Sequence, residues 1–217
     1  MEKMKKTIIF LNGDKADLSR VKKYIDKDTL IIGADGGTNH ILKLGLKPDV
    51  VIGDLDSFNV IARERSDRSN PVKYIRYPRD KDFTDGELAI RYAKEKGYKD
   101  IIIVGLLGTR VDHLLGNIFL LLKKDFEALN IKLIEGNQEM YLVRKKATIF
   151  GKKGEILSVI PIAGEVKETA SEGLKFDLKK YRLSLQGNQG ISNVMTKDTA
   201  KITVKKGILL IIHTKKS

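Results

Sequence analysis

The chain has 217 residues, of which 41% are hydrophobic and 32% charged, with a formal net charge of +13. This apolar fraction suffices for one large or two small packed domains, and no apolar run is long enough to cross a bilayer. Cysteine is absent, which excludes disulfides and thiolate chemistry. Because Met1–Lys6 leads into a short strand-like run and not into the apolar region of a signal peptide, we expect a cytoplasmic protein with no membrane partner.

The positive charge is carried largely by lysines that are scattered along strand-like segments. A basic surface can attract nucleic acid or any polyphosphate. No recognition-helix, RNP or zinc-finger pattern accompanies these lysines, so we expect a solvated surface and no nucleic-acid partner.

The first 137 residues alternate between short β-branched runs and helical patterns. Strands are predicted at Thr7–Leu11, Thr29–Ile32, Val50–Ile52, Val72–Tyr77, Ile101–Val104 and Ile131–Ile134. Helices are predicted at Ala16–Tyr24, Thr38–Leu44, Thr84–Lys96 and from about Asp112 to Leu129. This alternation predicts an α/β domain whose mostly parallel sheet is flanked by helices, with ligands beyond the carboxyl ends of the strands.

Residues 138–217 have a different character, with strand-like runs separated by Gly and Lys turns and no convincing helix. The runs are Glu139–Ile149, Glu155–Ile162, Glu165–Glu168, Tyr181–Leu185, Ala200–Val204 and Ile208–His213. They predict an all-β sandwich domain. We therefore expect two domains, residues 1–137 and residues 138–217.

Acidic residues follow two of the predicted strands. Asp35 lies in A-D-G-G-T after Thr29–Ile32, and Asp54 and Asp56 lie in G-D-L-D-S after Val50–Ile52. Asp54 and Asp56 are two apart and point to the same side of an extended backbone, where like carboxylates repel unless a cation bridges them. Such oxygen ligands suit Mg²⁺. The alternative is that Asp and Gly are simply common turn residues.

A third acidic segment, R-D-K-D-F-T-D-G-E, follows the strand Val72–Tyr77. Thr84 and Glu87 form a capping-box pattern, so part of the segment is ordinary chemistry for the start of a helix. Asp82 precedes the cap and is not needed for it, and Asp85 follows the cap. Three strand ends rich in Asp exceed what turn chemistry requires.

The segment G-L-L-G-T-R-V-D-H follows the strand Ile101–Val104. Gly105 and Gly108 would let backbone N–H groups approach a phosphate at the start of a helix, and Arg110 could add a bidentate contact. The alternative is that Thr109–Asp112 only caps the helix. His113 is given at most a binding role.

These motifs, in this order and with the later I-S-N, closely resemble the thiamine pyrophosphokinase family over nearly the whole chain. The resemblance implies an α/β catalytic domain joined to a C-terminal β-sandwich, in a homodimer with active sites between subunits. It implies transfer of a pyrophosphoryl group from ATP to thiamine, with release of AMP and use of Mg²⁺. The substrates would thus be two small molecules, ATP and thiamine.

The resemblance also implies roles for particular residues. The metal-binding and catalytic carboxylates would be Asp54, Asp56 and Asp85, with Asp35 and Asp82 as supporting acids. The residues around ATP would be Thr84, Gly105, Gly108, Arg110, Asp112 and His113, and those around thiamine Ser192 and Asn193.

Two departures from the family pattern concern the thiamine contacts: Val194 stands where many members have Glu, and the chain has no Trp. Two alternative functions stay open, the first of them because these departures concern the acceptor. One is another Mg²⁺-dependent phosphotransferase or phosphohydrolase on this scaffold, and the other is a non-catalytic nucleotide sensor.

Overall fold

The structure is a computed structural model that describes residues 5–54, 71–80, 82–180 and 183–216. The chain forms two compact units, Met1–Gly136 and Asn137–Ser217. The first unit ends one residue before the boundary that the composition predicts.

The first unit is built on a parallel sheet. Its described strands are β1 (Lys6–Phe10), β2 (Leu30–Ala34), β3 (Val50–Gly53), β4 (Lys73–Arg76), β5 (Asp100–Val104) and β6 (Asn130–Glu135). They lie in the order β6-β5-β1-β2-β3-β4, and every pair is parallel. The central strands are β-branched and almost wholly buried, as expected for a sheet covered on both faces. Because all the strands run the same way, their carboxyl ends meet at one edge.

The described α-helices of this unit are α1 (Gly37–Lys43), α2 (Asp85–Glu95) and α3 (Val111–Leu120). Single turns of 3₁₀ helix occur at Val21–Tyr24 and Lys124–Phe126. None of the described helices combines the length and apolar character that crossing a membrane requires.

Two helix predictions are wrong in their extent. Ala16–Tyr24 forms only the 3₁₀ turn at its end, because the Asp17 carboxylate accepts from the N–H of Ser19 at 3.0 Å and so favours a local turn over a helix. The helix predicted to reach Leu129 ends at Leu120. The chain becomes extended at Lys123 and then turns to bury Phe126.

The second unit is an antiparallel β structure. Its described strands are β7 (Gln138–Val143), β8 (Lys146–Phe150), β9 (Ile156–Glu172), β10 (Asn193–Val194) and β11 (Thr199–Thr214). The first half of β11 pairs with β8 and the second half with β7, while β9 pairs along nearly all of β11. Residues from both halves of β11 lie in one hydrophobic core.

Several short predicted runs are joined in longer strands. The two runs predicted within 155–168 belong to β9, and the two predicted within 200–213 belong to β11, which continues through a bulge near Gly207. The strand predicted at Tyr181–Leu185 is wrong in its described part, since Leu183–Leu185 lies outside any strand. The architecture confirms the predicted fold class, an α/β unit followed by a C-terminal β domain.

Candidate active site

A cavity of about 1130 Å³ opens at the carboxyl edge of the parallel sheet. Its walls come from the segments after β1, β2, β3, β4 and β5, from the first turn of α2 and from residues along α3. The predicted site residues that line it are Asp35, Asp54, Asp82, Thr84, Asp85, Gly105, Gly108, Arg110, Asp112 and His113. The cavity therefore gathers predicted site residues that lie up to 78 positions apart, from Asp35 to His113.

The turn after β2 requires its glycines. A Cβ at Gly37 would lie 2.0 Å from the carbonyl oxygen of Phe10, so only glycine allows α1 to begin this close to the end of β1. Asp35 adopts φ +46°, and its N–H donates to the carbonyl of Ile52 at 2.7 Å. This bond holds Asp35 beside the end of β3, where Asp54 follows.

Asp35 also supplies a test of whether a cation fits the site. Its Oδ1 is buried and has no hydrogen-bond partner in the described part of the chain. A buried carboxylate oxygen without a partner costs free energy, and a bound cation or its water shell would remove that cost. The neighbouring donors on the cavity wall, Asp54 and Asp85, are also hard oxygen ligands, so the donor set suits Mg²⁺.

The described residues do not by themselves enclose a metal ion, since they contain no cluster of three or more acidic or histidine side chains placed to do so. Asp56, predicted as a metal ligand, lies outside the described residues. Mg²⁺ is usually held by one or two carboxylates together with substrate phosphates. The arrangement therefore fits a cation that arrives with a polyphosphate.

Helix α2 begins at the cavity with the predicted cap. The side chain of Thr84 accepts from the N–H of Glu87 at 3.2 Å, and Asp85 is the first helical residue. The Glu87 carboxylate accepts from Arg91 at 2.8 Å and from Lys123 at 2.5 Å. The Thr84 bond of the predicted capping box is therefore present. The Glu87 side chain, which would form the second bond of the box, pairs with Arg91 and Lys123 instead.

The glycine segment after β5 lies directly against the turn after β1. Gly105 has φ +78°, and a Cβ there would lie 2.5 Å from the carbonyl oxygen of Leu11. The N–H of Gly13 donates to the carbonyl of Gly105 at 3.0 Å. Only glycine satisfies both the backbone angle and the close approach, so the loop's position depends on this residue.

Arg110 lies at the N-terminus of α3, as predicted, and is paired there. Its guanidinium donates to both carboxylate oxygens of Asp112, at 3.2 and 2.5 Å. The pair raises the pKa of Arg110 and lowers the pKa of Asp112. Both side chains are about two-thirds exposed, so the pair is accessible to an anion that enters the cavity.

The cavity also contains residues that the sequence reasoning missed, namely Asn12, Gly13, Asp14, Arg79, Phe83 and Asn117. Asn12 and Gly13 follow β1 just as the acidic turns follow β2 and β3. The expectation that ligands bind beyond the ends of the strands could have identified Asn12 and Gly13. Asn-Gly is, however, also an ordinary turn sequence. Phe83 contacts Arg91, whose guanidinium carbon lies 4.5 Å from the ring centroid.

In the second unit, Ser192 and Asn193 lie at the turn that begins β10. Asn193 is buried, and its amide accepts from the N–H of Phe176 at 3.0 Å and donates to the carbonyl of Phe176 at 2.7 Å. Ser192 is exposed with φ +58°, and its N–H donates to the Ser158 hydroxyl. Asn193 thus holds this turn together, and direct contact of either residue with thiamine stays a prediction.

Comparison with known proteins agrees with the two units. The family model for the catalytic domain of thiamin pyrophosphokinase matches residues 21–133, and the model for that family's vitamin B1 binding domain matches residues 141–209. Thiamine pyrophosphokinase of Bacillus subtilis (strain 168) is 32% identical over 213 residues, 97% of this chain and 99% of the relative. The chain belongs to the thiamine pyrophosphokinase family.

Solved structures of thiamine pyrophosphokinases share the fold. The crystal structure of the enzyme from Bacillus subtilis matches with a TM-score of 0.85 and 31% identity, covering 98% of this chain and 100% of that one. A thiamin pyrophosphokinase family protein from Enterococcus faecalis matches with a TM-score of 0.82 at 20% identity, covering 98% and 100%, and shows the fold alone. The family, the enzyme class and the fold class that the motifs predict are confirmed.

The position of Arg110 leads to a prediction about the two substrates. We expect Arg110→Ala to weaken ATP binding about tenfold, since hydrogen bonds to charged groups are worth about 1.5–3 kcal/mol. Thiamine is a cation and gains nothing from a guanidinium, so its affinity should hold. Calorimetric titration of each ligand measures both affinities.

Lys6→Ala is the matched control, because Lys6 pairs with Asp26 at 3.1 Å and does not line the cavity. This variant should bind ATP like the parent chain. An equal loss of ATP and thiamine affinity in Arg110→Ala would show that Arg110 is structural.

Proposed function

We propose that this chain binds ATP with Mg²⁺ in the cavity at the carboxyl edge and transfers the pyrophosphoryl group to thiamine, giving thiamine diphosphate and AMP. The observation that carries the proposal is the meeting of two features in one cavity. Asp35, Asp54 and Asp85 supply carboxylates for a cation, and the loop from Gly105 to Arg110 supplies amide and guanidinium donors for phosphate. A nucleotide triphosphate with its metal needs both.

The side chains of the cavity would act mainly by positioning and by compensating charge. Bound Mg²⁺ would neutralise phosphate charge as it develops, with Asp54 and Asp85 as ligands in the described region and Asp56 as the predicted third. The N-terminal ends of α2 and α3 direct backbone N–H groups towards anions. Asp35 and Asp82 would add acidic character beside the metal position.

The proposed step is a displacement at the β-phosphorus of ATP. The hydroxyl oxygen of thiamine forms a bond to that phosphorus while the bond from it to the α–β bridging oxygen breaks. AMP leaves with the bridging oxygen, and a carboxylate of the cavity accepts the hydroxyl proton. Because an alcohol is a weak nucleophile, holding it in line with the breaking bond supplies much of the rate enhancement.

We also propose that the enzyme works as a homodimer whose sites lie between subunits. Support comes from α3, which adjoins the cavity and has no buried residue although it is strongly apolar. Val111, Leu115 and Phe119 are 64%, 46% and 51% exposed and share one face of the helix at i, i+4 and i+8. A second copy would remove this face from water and bring its thiamine-binding unit to the nucleotide.

Because the proposed reaction consumes ATP, the expected compartment is the cytoplasm. The expected partners are ATP and thiamine, and neither a nucleic acid nor a membrane has a place in the proposal.

The acidic residues give the test of the proposed reaction. We expect Asp54→Asn and Asp85→Asn to lower kcat at least about 10²-fold with the fold intact, since losing metal-supported charge stabilisation costs several kcal/mol. The assay separates AMP and thiamine diphosphate from ADP after incubation with ATP, Mg²⁺ and thiamine.

The control is Asp26→Asn. The Oδ2 of Asp26 pairs with Lys6, and Asp26 does not line the cavity, so this variant should keep its activity. Near-normal turnover in a folded Asp54 or Asp85 variant would remove that residue from the site. ADP formation, or phosphate release without thiamine, would favour another phosphotransferase or phosphohydrolase. ATP binding without turnover by the unchanged protein would favour a nucleotide sensor.

The dimer can be tested by mixing two inactive variants. Asp54→Asn damages the nucleotide side, and Asn193→Ala removes the amide that holds the Phe176 backbone on the β side. Random subunit exchange gives about half heterodimers, each with one intact site if a site takes Asp54 from one subunit and Asn193 from the other. We then expect recovery of roughly a quarter of full activity in a two-fold dimer.

Exchange is followed separately with an affinity tag on one variant. If heterodimers form and activity stays at the level of the single variants, each site lies within one chain and the shared-site dimer is wrong.

A further inference from the structure

Glu135, the last residue of β6, is a buried carboxylate that contacts the glycine loop. It is only 4% exposed. Its Oε2 accepts from the N–H of Leu106 at 2.9 Å and from the N–H of Leu107 at 3.1 Å. Its Oε1 accepts from the N–H of Asp17. Burial of a carboxylate is tolerated only with such partners, so Glu135 ties the segments after β1 and β5 to the end of β6.

A second carboxylate holds the same loop from the other side. Asp14 Oδ1 accepts from the N–H of Thr109 at 2.7 Å. The amides of Leu106, Leu107 and Thr109 are thus all bound to carboxylates. The amides of Gly108 and Arg110 have no acceptor among the described residues, and both residues line the cavity. The two carboxylates therefore determine which loop amides are left to meet a ligand.

We propose that Glu135 is a positioning residue for nucleotide binding. It does not line the cavity, and it acts through the loop by fixing the orientation in which the Gly108 amide and Arg110 face the phosphates. The inference rests on the proposed ATP site and adds to it a residue that neither the motifs nor the cavity lining identifies.

Both carboxylate oxygens of Glu135 accept hydrogen bonds. A glutamine has the same shape, but one of its two terminal atoms is a donor and cannot accept from an amide N–H. Glu135→Gln therefore removes one acceptor. Either the N–H of Asp17 or the N–H groups of Leu106 and Leu107 lose their partner. The loop would lose its fixed orientation while the volume at the site is conserved.

The test measures ATP binding by calorimetry and steady-state kinetics with ATP, Mg²⁺ and thiamine. We expect Glu135→Gln to raise the Kd and the KM for ATP about tenfold, in keeping with the loss of a charge-assisted hydrogen bond. The KM for thiamine should stay within about twofold, since the loop binds the nucleotide. If Glu135 had only a structural role, Glu135→Gln would lower the amount of folded enzyme. The KM values for ATP and thiamine would then change equally or stay unchanged.

Asp49→Asn is the matched control. The Asp49 Oδ2 also accepts from a backbone amide, that of Ile31 at 2.8 Å, but it precedes β3 and so belongs to the opposite edge of the sheet. This variant should keep the parental KM for ATP. An unchanged KM for ATP in Glu135→Gln, or an equal rise for ATP and thiamine, overturns the inference.

Two further outcomes are distinguished. If the unchanged protein binds no ATP, or if Arg110→Ala binds it unaltered, the proposed ATP site fails and the inference fails with it. If Glu135→Gln does not fold, Asp14→Ala replaces it, because Asp14 is exposed and alanine removes the oxygen that accepts from Thr109, which asparagine would keep. A rise of about threefold in the KM for ATP then supports loop positioning by carboxylates, and an unchanged value overturns it.

Discussion

The shared direction of the strands is the constraint on which the site depends. In the first unit every described pair of strands is parallel, so the turns after β1, β2, β3 and β5 all open on one edge. Residues far apart in the chain are thereby gathered at one place. The glycines at 37 and 105 allow these turns to approach within backbone contact, and a side chain at either position would push two turns apart.

This gathering has an electrostatic consequence. Carboxylates converge at an edge that also carries amide and guanidinium donors, so the site holds both signs of charge. The bond between Arg110 and Asp112 reflects this arrangement, as does the Asp35 oxygen that has no partner among the described residues. A polyphosphate with its cation satisfies the two sets of groups at once, whereas either ion alone would satisfy only one. This arrangement supports the proposal that the ligand is metal-bound ATP.

The sequence predicts the strands of the parallel sheet and the acidic turns well, because buried β-branched runs and Asp at strand ends are local signals. It fails where the deciding interaction is distant. Glu135 precedes a glycine and resembles any polar residue at the end of a strand, yet it is buried by the loop after β5. Ala16–Tyr24 has a helical charge pattern, but the Asp17 carboxylate bonds locally and its amide is taken by Glu135.

The β unit shows the same limit. Gly164 and Gly207 read as turns that separate short strands. In the structure they adopt φ +69° and +90°, and β9 and β11 continue through them as long strands. Asn193 was identified from a motif, and its position is now explained by its bonds to Phe176. The family pattern alone does not show which groups bind thiamine.

The most direct test of the central claim is a crystal structure with Mg²⁺ and an ATP analogue in which a methylene group replaces the α–β bridging oxygen. The account predicts the triphosphate in the cavity at the carboxyl edge, with its phosphates beside Gly108 and Arg110 and its metal bound by Asp54 or Asp85. A nucleotide bound elsewhere, or one whose phosphates lie away from both the loop and the carboxylates, would contradict it.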